Sequence, residues 1–565
     1  MSSSVEKKLI GELAIFKFNQ DGRPHYSIGQ ITDIELRNVW LEDPTIRSVI
    51  RQKGNIHLIS GKQDTHLGKI TCSAIFSYNK GNYSASVMGN VPSTGTLITI
   101  VDDGILNILL RKYAKRIFYL GNVYRSKAKL PLWFRHFGDV SDGGAGEAYH
   151  LGIFGTTGSG KSTLTKMIIT AYSQYPEMTI FVIDPVGEFT KGVKEPKKQK
   201  STMGFNIDLG KVLNSFNKKF KTYNIQKIIL NTRELFSSLL SESRFFPQLT
   251  IHTREKRELA FDLVIDHLDL SHVNLENIYH HDNFSALWDY LRTEEFAHRL
   301  YSTPETRRRY LERINDEHNH NRADHFYNEY WSPIAKLFQR REEAITINQL
   351  LSGAFNNNEV IIIDLSPETA LSEKIIWNDT IEALVIKSIL DTISWQGNDA
   401  WQKNKFLNAL VILDKAHRFV TPDKFDDEKR ENVRRKLLDV SRTTRKYGLG
   451  WMFISTSLSS IHKDVLRQLR IIFFGSGLSL GSDYNMLREL ISDPNALKLY
   501  QTFTDPASAI DAESKQFSFM TKGPVSPLSF SGTPLFFNAF NSDKEFLNVN
   551  KIQLIEKQND ENYGF

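Results

Sequence analysis

Short, nearly continuous apolar runs recur through the middle of the chain: HLGIFG at 150–155, MTIFVID at 178–184, VIIIDL at 360–365, ALVILD at 409–414 and GWMFIST at 450–456. Runs of this length without polar alternation predict strands covered on both faces. Between the first two lies KSTLTKMIITAYSQY, which reads as an amphipathic helix, and further helices are expected around Thr380 to Ile393 and along the basic segment ending at Tyr447. Strand, helix and strand in repetition predict an α/β fold with a parallel sheet.

The flanks read differently. His25 to Ile34, Asn55 to Gly61, Lys69 to Tyr78 and Thr96 to Val101 are short β-forming stretches broken by Gly, Asn, Asp or Pro, which predicts a small β-barrel over residues 1–110. A basic, Gly-punctuated stretch from Arg111 to Gly146 links it to the first part of the α/β core, giving a segment 111–231. Residues 232–343, rich in Leu, Phe, Glu and Arg at helical spacing, predict a helical insertion, and 344–500 the second part of the core. The pattern weakens after Leu499, so 501–565 is expected to be an extended tail. Its Phe530, Leu535, Phe536, Phe537 and Phe540 are too apolar to hang in water and should brace the core or a neighbouring subunit.

Length changes this picture little: 565 residues suit several domains. With 40% hydrophobic and 24% charged residues the chain is not mainly disordered. Its apolar runs fall short of the roughly eighteen residues needed to cross a bilayer, and MSSSVEKKLI has no apolar signal core. A single cysteine, Cys72, excludes an intrachain disulfide and a multi-cysteine zinc site, and a reducing cytoplasm is the expected location. The net charge of +6 permits nucleic-acid contact without arguing for it.

The chemistry concentrates at residues 155–162, GTTGSGKS, a full match to G-x-x-x-x-G-K-[ST] with a strand before it and a helix after. Backbone N–H groups of Gly155, Thr156, Thr157, Gly158, Ser159 and Gly160 would close around phosphate oxygens at a helix N-terminus. Lys161 would neutralise the β- and γ-phosphates of ATP, Ser162 would place its hydroxyl on Mg²⁺, and Thr163 could reach the α-phosphate. Asp414, closing the apolar run ALVILD, is placed to hold the Mg²⁺ shell through water.

In ATPases that hydrolyse with a strand-end glutamate, the residue after this aspartate activates the attacking water. Here it is Lys415, which is no base at neutral pH without a large loss of basicity. Either the chain is altered at this position, or hydrolysis is weak, or another carboxylate serves. DPVGEF at 184–189 offers Asp184 and Glu188, whose competing reading is a turn with Asp184 capping a helix and Gly187 bending the chain. Arg442 and Arg445, in SRTTRKYG, are candidates for an arginine finger reaching a neighbouring subunit's γ-phosphate, or members of a solvated helix face.

Taken together, HLGIFGTTGSGKST, FVIDPVGEF, VILDKAHRF and RKYGLGWMFIST resemble the HerA-type hexameric ATPases, in the HerA–FtsK branch of P-loop motors. The family usually has D-E-A-H where this chain has DKAH, and T-Q where Thr456 is followed by Ser457. The resemblance implies a RecA-like P-loop core, a ring of six with ATP between subunits, and double-stranded DNA in the pore. It also implies a separate effector, a nuclease or a sirtuin-like NAD hydrolase, in DNA-end processing or defence against phage. Lys415 supports a second expectation, an ATP-binding scaffold ring with impaired hydrolysis.

Other clusters have plainer readings. NDEHNHNRADH at 315–325 and HHD at 280–282 read as solvated helix ends rather than metal sites. RRR at 307–309 is flanked by Glu305 and Glu312 for local ion pairing, and KGVKEPKKQK at 191–200 is a linker or a DNA-facing loop.

Overall fold

The structure is a computed structural model describing residues 8–38, 42–53, 64–190, 207–320, 322–367, 375–509, 515–529 and 532–554. The first sheet is antiparallel and contains β1 (Leu13–Gln20), β2 (Arg23–Asn38), β3 (Asp64–Asn79), β4 (Asn82–Ser86) and β5 (Ile98–Ile100), in the order β4-β3-β2-β1-β5. Where the sequence predicts a small β-barrel over residues 1–110, the described residues form this five-stranded sheet together with helices at Pro44–Lys53 and Asp103–Leu109. The expected strand at Asn55 to Gly61 lies outside the described residues. Cys72 sits half-buried in β3.

Among the described residues the second sheet has eleven strands. Its parallel part comprises β8 (His150–Phe154), β9 (Thr179–Asp184), β10 (Phe220–Asn224), β13 (Val360–Asp364), β14 (Ala409–Leu413), β15 (Leu449–Ser455) and β16 (Leu469–Phe474). They run in the order β10-β13-β9-β14-β15-β8-β16. The apolar runs therefore form the centre of a RecA-like P-loop core, as their lack of alternation requires. Successive residues of β9 point to opposite faces: Phe181 and Ile183 join one hydrophobic core, Ile180 and Val182 the other. Three helices matter for the site: α1 (Lys161–Ser173), α2 (Asp379–Gln402) and α3 (Glu428–Thr443).

Two segments depart from the sequence reading. The stretch expected as a linker carries β6 (Ile117–Val123) and β7 (Lys129–Trp133), and the expected tail carries β17 (Ser518–Lys522) and β18 (Leu535–Ala539). Both pairs extend the central sheet antiparallel beyond β16, in the order β16-β17-β18-β6-β7. The apolar tail residues are indeed covered, with Leu535, Phe536, Phe537 and Phe540 buried, but as part of the subunit's own sheet. Phe530 lies outside the described residues. The reason is long-range: β18 finds its partner β6 some four hundred residues earlier in the chain, which no local pattern announces.

From Arg233–Glu242 to Ser332–Ala335 the described chain is helical, between the short paired strands β11 (Ile228–Ile229) and β12 (Ile345–Thr346). The apolar side of this insertion, including Trp288 and Trp331, merges with one face of the sheet in a single core. Among the described residues no helix is long and apolar enough to cross a membrane.

Candidate nucleotide-binding site

The loop Gly155 to Gly160 leaves the end of β8, a strand with every residue buried, and opens directly into α1. Gly160 stands before the first turn of that helix at a φ of +91°, a left-handed conformation that side chains resist. The loop is fastened from outside: the N–H and hydroxyl of Thr156 donate to the Ser476 carbonyl at 3.0 and 3.1 Å. That neighbouring segment is itself held by Tyr500, whose hydroxyl donates to the Gly475 carbonyl and accepts from the Leu478 N–H.

Lys161 is buried, and its ammonium donates to the carbonyls of Gly155 at 2.7 Å and Thr156 at 2.8 Å. Burial, with Lys415's charge adding to it, lowers its pKa to about 8, while Asp414 and Glu188 pull the other way. Phosphate oxygens would supply the counter-charge that this ammonium lacks. Ser162 and Thr163 follow in the first turn of α1, both half-buried. Ser159 is buried with its hydroxyl unpartnered inside the loop.

Asp414 follows β14, strapped to the neighbouring strand by its N–H to the Ile183 carbonyl at 3.2 Å. It is 2% exposed, and its Oδ2 has no hydrogen-bond partner. Burial drives its pKa up to about 7, opposed by Lys415 and reinforced by Glu188 and Asp184. A buried carboxylate oxygen left unpaired beside a phosphate loop fits a hydrated cation. Lys415 turns the chain away from the strand with a φ of +50° and starts the short turn Ala416–Arg418. Its ammonium lies 3.9 Å from Glu188 Oε2.

Asp184 and Glu188 part company. Asp184 is fully buried, and its carboxylate accepts the N–H groups of Glu188 (3.1 Å), Phe189 (2.8 Å) and Thr190 (3.4 Å). Burial raises its pKa to about 6 against the pull of these amides. The capping alternative is thus the arrangement found for Asp184. Gly187 makes the bend, with a φ of +71° and room for no Cβ, since one would come 2.8 Å from Ser366 Oγ.

The arginines do not join this site within the chain. Arg442 pairs with Asp464 and Arg445 with Glu147. Both lie by the start of β8: the Ala148 N–H donates to the Arg445 carbonyl, and His150 Nε2 donates to the Ser441 carbonyl at 2.8 Å. The phosphate loop leaves the other end of that strand, roughly 16 Å away for five residues.

One residue near the site escaped the sequence reading. His417 Nδ1 lies 3.3 Å from the Ser455 hydroxyl, at the end of the strand between β14 and β8. Burial, then the charges of Lys415, Arg418 and Lys161, lower its pKa. Its signal was the H of VILDKAHRF, which carries no meaning until β15 brings Ser455 beside it.

The remaining clusters form local ion pairs, and Glu317, in the stretch read as a solvated helix end, is buried. Among the described residues no group of three or more His, Cys, Asp or Glu could hold a metal. Glu317 is buried between Arg313 (2.6 Å) and Arg322 (3.0 Å), His320 and Asp324 pair with Asp316 and His281, and Arg309 pairs with Glu305. The lysine-rich run 191–200 lies outside the described residues.

A parallel sheet with the glycine-rich loop between β8 and α1, and an acidic residue ending a strand two places away, defines the P-loop ATPase fold. Residues 148–385 match the family model of the helicase HerA central domain. No curated protein matches the chain. Among solved structures, VirB4 of Thermoanaerobacter pseudethanolicus is 13% identical over 75% of this chain and 96% of its own, with a TM-score of 0.37. The bacterial conjugative coupling protein TrwBΔN70 is 11% identical over 80% and 95%, with a TM-score of 0.38. The genome packaging NTPase B204 from Sulfolobus turreted icosahedral virus 2, in complex with ATP-γS, is 8% identical over 69% and 98%, with a TM-score of 0.29.

Proposed function

We propose that this protein is an ATP-driven ring motor that binds ATP and Mg²⁺ at Gly155 to Thr163 and Asp414 and moves double-stranded DNA. The observation that carries the reading is the unpaired, buried Asp414 Oδ2 on the sheet edge that also presents Lys161. Such a pairing of orphaned carboxylate and half-compensated ammonium is costly by itself and would be relieved by a cation and a phosphate together. The cation, when bound, neutralises charge on the phosphate oxygens. Ser162 and Asp414 are the residues that would hold it. Lys161 and the loop amides bind and orient the phosphates.

The match of residues 148–385 to the HerA central domain supports the motor reading. We extend it to a homohexamer with ATP between subunits, in which Arg442 or Arg445 serves the neighbouring subunit's nucleotide. A separate effector, a nuclease or a sirtuin-like NAD hydrolase, would be powered by the ring in DNA-end processing or antiphage defence. Binding of a fluorescent ATP analogue to the chain and to Lys161→Ala tests the site, and displacement of a triplex-forming strand from duplex DNA tests movement. Unchanged affinity in Lys161→Ala removes the assignment.

Lys415 favours a second reading, a scaffold ring that binds ATP and regulates its effector without sustained turnover. Steady-state ATPase activity with and without duplex DNA separates the two.

A further inference from the structure

The ends of β9 and β14 lie side by side, with Ile183 opposite Leu413, so the loops that follow share one edge of the sheet. At the position after Asp414, where a hydrolytic carboxylate would stand, this chain has an ammonium. One strand over, the loop after β9 carries Glu188. Its carboxylate lies 3.9 Å from that ammonium and is 35% exposed, so water has access to it.

Four other carboxylates near this edge are committed elsewhere. Asp184 holds three backbone amides. Asp364 accepts the N–H and hydroxyl of Ser366 at 3.0 and 2.6 Å. Glu382 is bound by Arg418 at 2.6 Å. Asp414 is too buried to meet the attacking water and has the cation to hold. Glu188 differs from all four, and its backbone is fixed by the Asp184 cap and the Gly187 bend while its side chain reaches Lys415. Its charge also acts on both Lys161 and Asp414, the groups assigned above to phosphate and cation.

We propose that Glu188 is the general base for ATP hydrolysis in this protein, and that Lys415 positions it. The inference rests on the ATP-hydrolysing reading above. In the step, a Glu188 carboxylate oxygen takes a proton from water as the water oxygen bonds to the γ-phosphorus. The bond from that phosphorus to the β–γ bridging oxygen breaks, and its electron pair leaves with ADP. The proton then passes from Glu188 to the released phosphate or to solvent. Lys415 cannot take the proton, because an ammonium has no acceptor. It can hold the carboxylate in place. The hydrolytic carboxylate has in effect moved from the end of β14 to the loop after the adjacent β9.

The test uses the full chain with Mg²⁺–ATP, with and without duplex DNA. Glu188→Gln, nearly the same shape, should lower kcat by about a hundredfold to ten-thousandfold while affinity for a fluorescent ATP analogue stays unchanged. Lys415→Arg should keep most of kcat, whereas Lys415→Met should lower kcat and leave KM alone, a split that general misfolding does not produce. Turnover by Glu188→Gln at the parent rate overturns the proposal. So does a parent chain that binds ATP but never hydrolyses it, which leaves the nucleotide site standing. A parent chain that binds no ATP removes both.

Discussion

The Lys415 ammonium and the Glu188 carboxylate face each other at 3.9 Å from loops that follow neighbouring parallel strands. An opposite pair in these positions allows the carboxylate to be moved back. In the Glu188→Gln background, Lys415→Glu returns an acceptor to the end of β14, and ATP turnover should recover by at least tenfold over Glu188→Gln alone. Phosphate release assays on the two variants check this. A double variant no faster than the single one shows that position 415 is turned away from the water, as its left-handed backbone would then imply.

Asp414 makes the stability of the fold sensitive to pH. Its pKa is about 7 in the fold against 3.8 in the unfolded chain, so the folded state holds the extra proton between these values. That contribution to stability is complete below pH 3.8 and is lost as pH rises through about 7. Asp414→Asn should therefore raise the melting temperature relative to the parent more at pH 8 than at pH 5. Mg²⁺–ATP should reverse the order at pH 8, since the parent gains a cation contact that the amide lacks. Thermal melts at the two pH values, with and without Mg²⁺–ATP, measure both.

His150 carries a second pH dependence, of opposite sign. It is fully buried, its Nε2–H donates to the Ser441 carbonyl, and its Nδ1 accepts the Trp451 N–H at 3.1 Å. Burial lowers its pKa to about 3 from 6.5. The stability it brings is present above pH 6.5 and is lost as pH falls towards 3. His150→Leu leaves that carbonyl and that N–H without partners, at a cost of about 1–3 kcal/mol for each. Denaturant unfolding should show this loss at pH 7 and a smaller one at pH 5, where the parent has itself weakened.

Gln30 ties the N-terminal sheet to the end of the chain. Its amide donates to the carbonyls of Gly11 at 2.9 Å and Phe536 at 3.0 Å, and its oxygen accepts the Phe536 N–H at 2.9 Å. Gln30→Ala should cost about 1–3 kcal/mol by leaving buried groups unpaired. Deleting residues after Gly523 removes β18 from between β17 and β6, so it should unfold the subunit and not merely loosen a ring. Soluble yield and far-UV circular dichroism of the truncated chain distinguish these. A well-folded truncated subunit shows that β17 and β6 close up without it.

Much of the core and the phosphate loop was legible in the sequence because both are local. Continuous apolar runs of this length, alternating with helical segments, point to strands covered on both faces, and GTTGSGKS needs nothing beyond the strand and helix that flank it. Asp414 was legible for the same reason, as the acidic stop to ALVILD. What the tertiary structure decided were relationships between distant segments. Strand order set β9 beside β14 and so brought Glu188 to Lys415. The same packing turned Asp184 into a cap and sent Arg442 and Arg445 to the opposite end of β8 from the phosphate loop. It also drew the tail's β18 into the sheet against β6, through pairing between residues such as Phe537 and Val123. A backbone N–H or C=O bonds any strand edge equally well, so local sequence names the strands, and only the packing of the whole chain chooses their neighbours.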